Sequence, residues 1–238
     1  MSGVFVTATD TEAGKTVVSC AMAAYLRSQG LRVGVMKPVA SGAELKTVSG
    51  KKTWVSQDAL SLQSAAASTD PIDRINPVLY RQPLAPYSAA LLERKPVDFN
   101  AVKTAFEALS GQNDFMVVEG IGGVAAPLTK TLNVADLMRK MRLPAVVVAP
   151  AKLGTLNHTF LTWRYLKQKN IKLWGIVLNN FDADALVDRA NLEYFKQVKI
   201  PVLATIPRLR SVRPDALAPI LQGTELARLF KIYSQTRS

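Results

Sequence analysis

The sequence predicts an α/β fold, a mostly parallel sheet with helices on both faces. Three observations point to it. Short apolar runs alternate with stretches of helical periodicity along the chain, and the first run is followed by a loop that opens directly into a helix. A later run, Met116-Val117-Val118-Glu119, ends on a carboxylate followed by glycines. Strands covered on both faces read as unbroken apolar runs, and parallel neighbours need crossover helices between them. In such sheets ligands bind beyond the carboxyl ends of the strands.

Taken in order, the expected strands are residues 3 to 8, 32 to 36, 114 to 119, 144 to 149, 173 to 178 and 202 to 206. The expected helices are 15 to 28, 57 to 66, 86 to 93, 98 to 110, 133 to 141, 154 to 169, 184 to 197 and 223 to 232. The stretch from Ala40 to Pro86 breaks this rhythm, with turn signals at Ser41-Gly42, Ser49-Gly50-Lys51-Lys52, Asp70-Pro71 and Pro83-Leu84-Ala85-Pro86. It reads as an insertion beside the site.

With 238 residues, 48% of them hydrophobic and 20% charged, the chain is expected to bury its core as one domain over 1–238, without repeats or disordered tracts. Met1-Ser2-Gly3 runs straight into the first strand, and no apolar run approaches the roughly 20 residues that span a bilayer. A cytoplasmic location and no membrane partner are expected. Cys20, the single cysteine, reads as a small core residue.

Thirty Lys and Arg against 18 Asp and Glu give a net charge of +12, which raises nucleic acid as a partner. The basic residues are dispersed, however: Arg27, Arg32, Lys51, Lys52, Arg139, Lys140, Arg142, Lys167, Lys169, Lys172, Arg208, Arg210 and Arg213 lie along the whole chain without aromatic interleaving. A solvated basic surface that attracts anionic nucleotides, with no nucleic-acid partner, is the expectation.

The loop itself is Thr7-Ala8-Thr9-Asp10-Thr11-Glu12-Ala13-Gly14-Lys15-Thr16, between Val4-Phe5-Val6 and a helix from Val17 to Leu26. Gly14 lets the backbone approach an oxyanion, Lys15 supplies a charge for the β- and γ-phosphates, and the Thr16 hydroxyl suits a magnesium ion. The strict pattern G-x-x-x-x-G-K-S/T would put a glycine at Thr9, so the loop is P-loop NTPase-like with one departure. Glu119 is a second magnesium ligand or water-orienting group, or else a carboxylate capping a turn. Lys37, ending the strand Val35-Met36, is placed to stabilise transferring phosphoryl charge. Asn179 and Asn180 end another strand with amides that offer a donor and an acceptor to a purine edge, although the pair alone is no more than a turn signal.

In this order the motifs resemble the dethiobiotin synthetases, ATP-dependent enzymes that close the ureido ring in biotin synthesis, over nearly the whole chain. The loop is similar to that family's Gly-Thr-Asp-Thr-x-Val-Gly-Lys-Thr, with Ala8 for the glycine and Ala13 for the valine. A positive φ at Ala8 would strain it. Lys37 to Gly42, Ser56-Gln57-Asp58-Ala59-Leu60, Glu119-Gly120-Ile121-Gly122-Gly123, Lys152 to His158 and Ile206-Pro207 also resemble family motifs.

The resemblance implies that Glu12, Ala13, Gly14, Lys15, Thr16 and Val17 wrap the ATP phosphates, with Gly120, Ile121 and Gly122 alongside. It implies that Thr16, Asp58 and Glu119 hold Mg2+, and that Lys15 and Lys37 flank the reacting centre. Thr11, Lys37, Ser41 and Gly122 would hold the diamine end of 7,8-diaminopelargonate, and Asn179, Asn180, Ile206, Pro207 and Arg208 would line the adenine pocket. Arg208 stands where the family pattern has an aromatic residue. Leu153, Gly154, Thr155 and Asn157 would take the distant carboxylate from across a homodimer interface, helix amides being suited to it. His158 reads as structural. The implied reaction adds CO2 to one amine, phosphorylates the carbamate with ATP, and closes the ring by attack of the second amine. Positioning and charge neutralisation dominate such chemistry.

The rival reading is a partition or site-selection ATPase, an ATP-switched dimer on DNA or membrane. Such ATPases usually carry a further lysine near the start of the loop, and positions 7 to 13 hold none. The amphipathic Leu226 to Tyr233 reads as a helix packed on the sheet rather than a membrane anchor.

Overall fold

A strand covered on both sides has no polar face, and β1 (Gly3–Ala8) is of this kind, buried along its whole length. Val4, Val6 and Ala8 enter one apolar cluster and Phe5 the other, the two-residue alternation of a pleated strand. The structure is a computed structural model describing residues 2–48, 50–209 and 213–235; Met1, Ser49 and Arg210 of the sequence reading lie outside the described residues.

After β1 come α1 (Lys15–Ser28), β2 (Val33–Met36), β3 (Val39–Ala40), β4 (Glu44–Val48), β5 (Lys51–Val55), α2 (Gln57–Ala66), α3 (Ile72–Ile75), β6 (Val78–Leu79), α4 (Pro86–Leu92) and α5 (Phe99–Gln112). Then follow β7 (Phe115–Glu119), α6 (Val134–Met141), β8 (Ala145–Pro150), α7 (Thr155–Gln168), β9 (Leu173–Asn179), α8 (Leu186–Gln197), β10 (Val202–Ile206), α9 (Pro214–Leu217), a 3-10 turn (Ala218–Leu221) and α10 (Glu225–Gln235). The main sheet has six strands in the order β10-β9-β8-β1-β7-β2, and every pairing in it is parallel. Helices cover both faces, as expected. Val18, Met22 and Leu26 of α1, Leu62 of α2 and Phe230 of α10 pack on one side; Phe106 and Leu109 of α5, Met138 of α6 and Phe195 of α8 pack on the other.

β2 pairs in parallel with β7, so the stretch from Ala40 to Pro86 lies within the crossover that joins them. It holds a short parallel ribbon, β3 with β6, and an exposed antiparallel hairpin, β4 with β5, in which Leu45 faces Trp54.

The C-terminal helix uses its apolar face on the sheet. Phe230 is buried against Tyr25, Phe115 and Trp174, which supports the packed reading of the amphipathic 226–233 stretch. No helix among the described residues is long and apolar enough to cross a membrane. The basic residues noted above are exposed, apart from half-buried Lys169 and leaving aside Arg210. Cys20 is buried, and its thiol is pushed up by burial first and then by the negative charge of Glu119. That keeps it an unreactive core residue.

Candidate active site

The first turn of a helix leaves backbone N–H groups without partners, and in α1 no side chain caps them. The N-cap is Gly14 at φ 94°, and Glu12 also takes a positive φ, 60°. The loop therefore turns back at Glu12 and Gly14 onto the uncapped start of the helix, and a concavity of this kind is where backbone amides receive an anion. Ala8 is an ordinary strand residue and not one of the positive-φ positions, so the feared strain is absent; the left-handed turn falls three residues further on than the spacing to Gly14 suggests for a glycine-led loop. Asp10 Oδ1 accepts from Thr11 N–H at 2.7 Å, and Lys15 Nζ donates to the Asp10 carbonyl at 3.2 Å across the loop.

Three elements bring acidic and basic side chains to the mouth of this concavity. Ser56 caps α2 by accepting from Ala59 N–H, which sets Asp58 in the first turn. Glu119 ends β7 beside Val6, and Lys37 follows β2. The backbone at Lys37 is fixed from the crossover: its N–H donates to the Ile75 carbonyl at 2.8 Å, and its own carbonyl accepts from Asn76 Nδ2 at 2.7 Å.

Thr16 Oγ1 lies 2.9 Å from Asp58 Oδ1 and 2.9 Å from Glu119 Oε1. A hydroxyl has one proton, so it can donate to only one of these oxygens at a time. Glu119 Oε2 is buried and without a partner. One hydroxyl and two carboxylates, together short of protons, suit a hard divalent cation such as Mg2+, which is usually held by one or two carboxylates plus substrate phosphates. A denser donor set is missing: no group of three His, Cys, Asp or Glu side chains able to hold a metal occurs among the described residues.

Lys37 is buried, 2% exposed, and its Nζ reaches Glu119 Oε1 at 2.6 Å, Asp58 Oδ2 at 2.8 Å and the Gly120 carbonyl at 3.0 Å. Burial alone would push this ammonium down, but Glu119 and Asp58 outweigh it and hold its pKa above the ordinary value. Asp58 responds in the opposite sense: burial works to raise it, and Lys37, with help from Thr16 and Lys15, holds it below the carboxylate range. Among the described residues no carboxylate bonds Lys15. Burial, and then repulsion from Lys37, pull it down to about 8. It lacks a counter-charge that phosphates would supply.

One cleft adjoins the loop, and a second lies past the ends of β9 and β10. The first, of about 940 Å3, is lined by Thr11, Glu12, Ser41, Ile121 and Gly122, so the structure brings together these residues expected around the diamine and phosphates. The sequence reading missed its remaining wall, which includes Pro83, Leu84, Leu161, Thr162 and Tyr165. Pro83 and Leu84 had shown only as a turn, and nothing in the periodicity of α7 marked Tyr165. Leu153, Gly154, Thr155 and Asn157 do not line this cleft. They start α7, where Leu153, Gly154 and Asn157 are exposed while Thr155 is buried with its hydroxyl unpartnered. His158 is also exposed.

The other cleft, of about 740 Å3, gathers Asn180, Pro207 and Arg208 with Phe181, Asp182, Ala183 and Thr205. Ile206 is a core residue, fully buried; its carbonyl accepts from Phe181 N–H at 2.9 Å, holding the cleft's rim. Asn179 is buried, donates Nδ2 to the Ala13 carbonyl at 3.0 Å, and leaves Oδ1 without a partner. Gly120 and Val17 complete the expected set, the first beneath Phe5 and the second partly buried in the first turn of α1.

Comparison with known proteins follows this geometry. Residues 2–216 match the family model described as an AAA domain. The chain is 38% identical to the ATP-dependent dethiobiotin synthetase of Bacillus licheniformis, covering 91% of this chain and 90% of that protein. It is 41% identical to that of Endomicrobium trichonymphae, over 74% and 78%, and 33% to that of Bacillus subtilis, over 91% and 92%. Among solved structures, cobyrinic acid a,c-diamide synthase from Mycobacterium smegmatis with a bound ATP analogue and magnesium aligns with a TM-score of 0.58 at 18% identity, over 97% of this chain and 96% of that one. The septum site-determining protein MinD of Pyrococcus horikoshii with Mg-ADP aligns at 0.54 and 14% identity, over 100% and 96%. At such identities these two show the shared P-loop fold alone and give the partition-ATPase reading no further weight. Sequence identity, extent of coverage and fold agree: the chain is an enzyme of the ATP-dependent dethiobiotin synthetase family.

Proposed function

We propose that this chain converts 7,8-diaminopelargonate, CO2 and ATP to dethiobiotin, ADP and phosphate, through a carbamate and a carbamic-phosphoric anhydride. The observation that carries this reading is the convergence of Lys15, Lys37, Asp58 and Glu119 on the phosphate loop, next to the cleft of Thr11, Ser41 and Gly122.

In this reading Glu12 to Val17 cradle the ATP phosphates with their amides, and Lys15 gains there the counter-charge it lacks. Asn179, Asn180, Pro207 and Arg208 take the base, the unpartnered Asn179 Oδ1 accepting from its amino group. Thr16, Asp58 and Glu119 hold Mg2+, which supplies charge neutralisation at the β- and γ-phosphates when bound. Thr11, Ser41 and Gly122 hold the diamine end. A substrate amine adds CO2 and loses a proton to give the carbamate, whose oxygen attacks the γ-phosphorus as ADP leaves; Lys37 offsets the developing charge. The second amine then attacks the anhydride carbon, closing the five-membered ring and expelling phosphate.

A homodimer serves this reading. The exposed start of α7, with Leu153 among its exposed residues, leaves the amides of 153–157 open for a second copy's substrate carboxylate. The test is incubation of the pure protein with diaminopelargonate, bicarbonate, Mg2+ and ATP, with dethiobiotin detected by mass; its absence overturns the proposal.

A further inference from the structure

The ammonium of Lys37 has three protons and three acceptors: Glu119 Oε1, Asp58 Oδ2 and the Gly120 carbonyl. Two of the three belong to the carboxylates assigned above to the metal: Asp58 meets Thr16 Oγ1 with its other oxygen, Oδ1, and Glu119 meets Thr16 and Lys37 with the same oxygen, Oε1. The ammonium and a cation on Thr16 therefore compete for the same charge.

We infer that Lys37 is the resident counter-ion of the metal site, and that it makes metal binding depend on the nucleotide. The inference rests on the reading of Thr16, Asp58 and Glu119 as metal ligands. Charge decides the order. Asp58 and Glu119 both bond Lys37 and attract Lys15 from beyond bonding distance, so much of their negative charge is already offset before any ligand arrives. A bare divalent cation would add positive charge beside an ammonium that is itself almost fully buried, which is costly. A magnesium-triphosphate complex carries net negative charge and brings its own oxygens, so it meets no such opposition. As the metal takes the carboxylates, the Lys37 ammonium loses its claim on them and is released toward the phosphates, the group it is proposed to stabilise during transfer. Loading of the metal thus delivers the lysine. The crossover that fixes the Lys37 backbone at Ile75 and Asn76 confines this movement to the side chain.

The test measures Mn2+ binding by the loss of its free paramagnetic signal, with and without a non-hydrolysable ATP analogue, in the wild-type protein and in Lys37→Met, Lys37→Gln and Glu119→Gln. Without nucleotide, wild type is expected to bind Mn2+ weakly and both Lys37 variants at least about tenfold more tightly, since each leaves two carboxylates uncompensated. A Lys37 variant that folds only when Mn2+ is added supports the inference equally. Lys37 variants that bind no tighter than wild type overturn it, while a loss of metal in Glu119→Gln with nucleotide present leaves the ligand assignment standing. Full Mn2+ affinity in Glu119→Gln with nucleotide overturns the ligand assignment itself. Should both Lys37 variants fail to fold, the Nζ resonance of 15N-lysine-labelled wild type decides: it is expected to be protected from exchange in the free protein and to lose that protection with the magnesium-analogue complex. A resonance that does not change overturns the inference.

Discussion

Asn179 donates its side-chain amide to the carbonyl of Ala13 at 3.0 Å, tying the end of β9 to the phosphate loop. The contact is close enough that a Cβ on Gly14 would fall 1.9 Å from Asn179 Nδ2. The left-handed φ at Gly14, the loop's curvature and the position of the base-side amide are therefore one arrangement.

Gly14→Ala is expected to weaken ATP binding roughly 10- to 100-fold, the scale of the ~1–3 kcal/mol for holding a non-glycine residue in a sparsely populated backbone region. Calorimetric titration of ATP checks it. Unchanged affinity in a folded variant would mean that the loop does not cradle phosphate.

Lys37→Met is expected to lower turnover by ~10²–10³-fold, the usual loss for one preorganised electrostatic donor, with nucleotide affinity largely kept at saturating Mg2+. Binding and steady-state turnover, measured side by side, separate the two effects. Loss of ATP affinity in proportion to activity would make Lys37 a ground-state phosphate anchor.

The wall of the substrate cleft depends on a cap. Asn133 and Asp136 form a capping box on α6, Asn133 Nδ2 donates to Tyr165 Oη at 2.5 Å, and Lys169 Nζ reaches Asp136 Oδ1 at 2.9 Å. Burial works to raise the Asp136 carboxyl, but the Lys169 hydrogen bond, the Asn133 N–H and nearby positive charge outweigh it and hold it below its ordinary 3.8. A depressed acid stabilises the fold above its unfolded pKa and loses that contribution as pH falls through the folded one. The stability gap between wild type and Asp136→Asn is therefore expected to be full near neutrality and to close in acid, and Asn133→Ala to cost about 1 kcal/mol. Denaturant melts across pH check both; a gap that widens in acid would contradict the sign.

Much of this was legible in the sequence. The strand at 3–8 and the helices at 15–28 and 57–66 fall where the apolar runs and the loop put them, because strands buried on both faces and helices with a capping Ser56 leave plain signals. Glu119 and Lys37 were legible as strand-end charges, and Asp58 only through the resemblance of its segment to a family motif. The β4–β5 hairpin was not: both of its faces are largely exposed, so no core imposes a pattern on Glu44 to Val55. The cleft wall at Pro83, Leu84, Leu161 and Tyr165 was also missed, since cleft-lining follows from how α7 and the crossover meet, which no local spacing records.

Activity is expected to recover when an inactive Lys15→Ala protein is mixed with an inactive Asn157→Ala protein, because a mixed dimer restores one intact site. The exposed start of α7, with Leu153 85% exposed, motivates the test. No recovery, with both proteins folded and exchanging subunits, would place the 153–157 segment outside the partner's site.

The central claim is that ATP is consumed by attack of a substrate carbamate and not of water. Phosphate release, followed continuously in the presence of Mg2+, ATP and bicarbonate, tests it most directly. The account predicts that release is negligible until 7,8-diaminopelargonate is added and then proceeds one-for-one with dethiobiotin. Rapid release without the diamine, or release stimulated by DNA or lipid vesicles in its place, would contradict it.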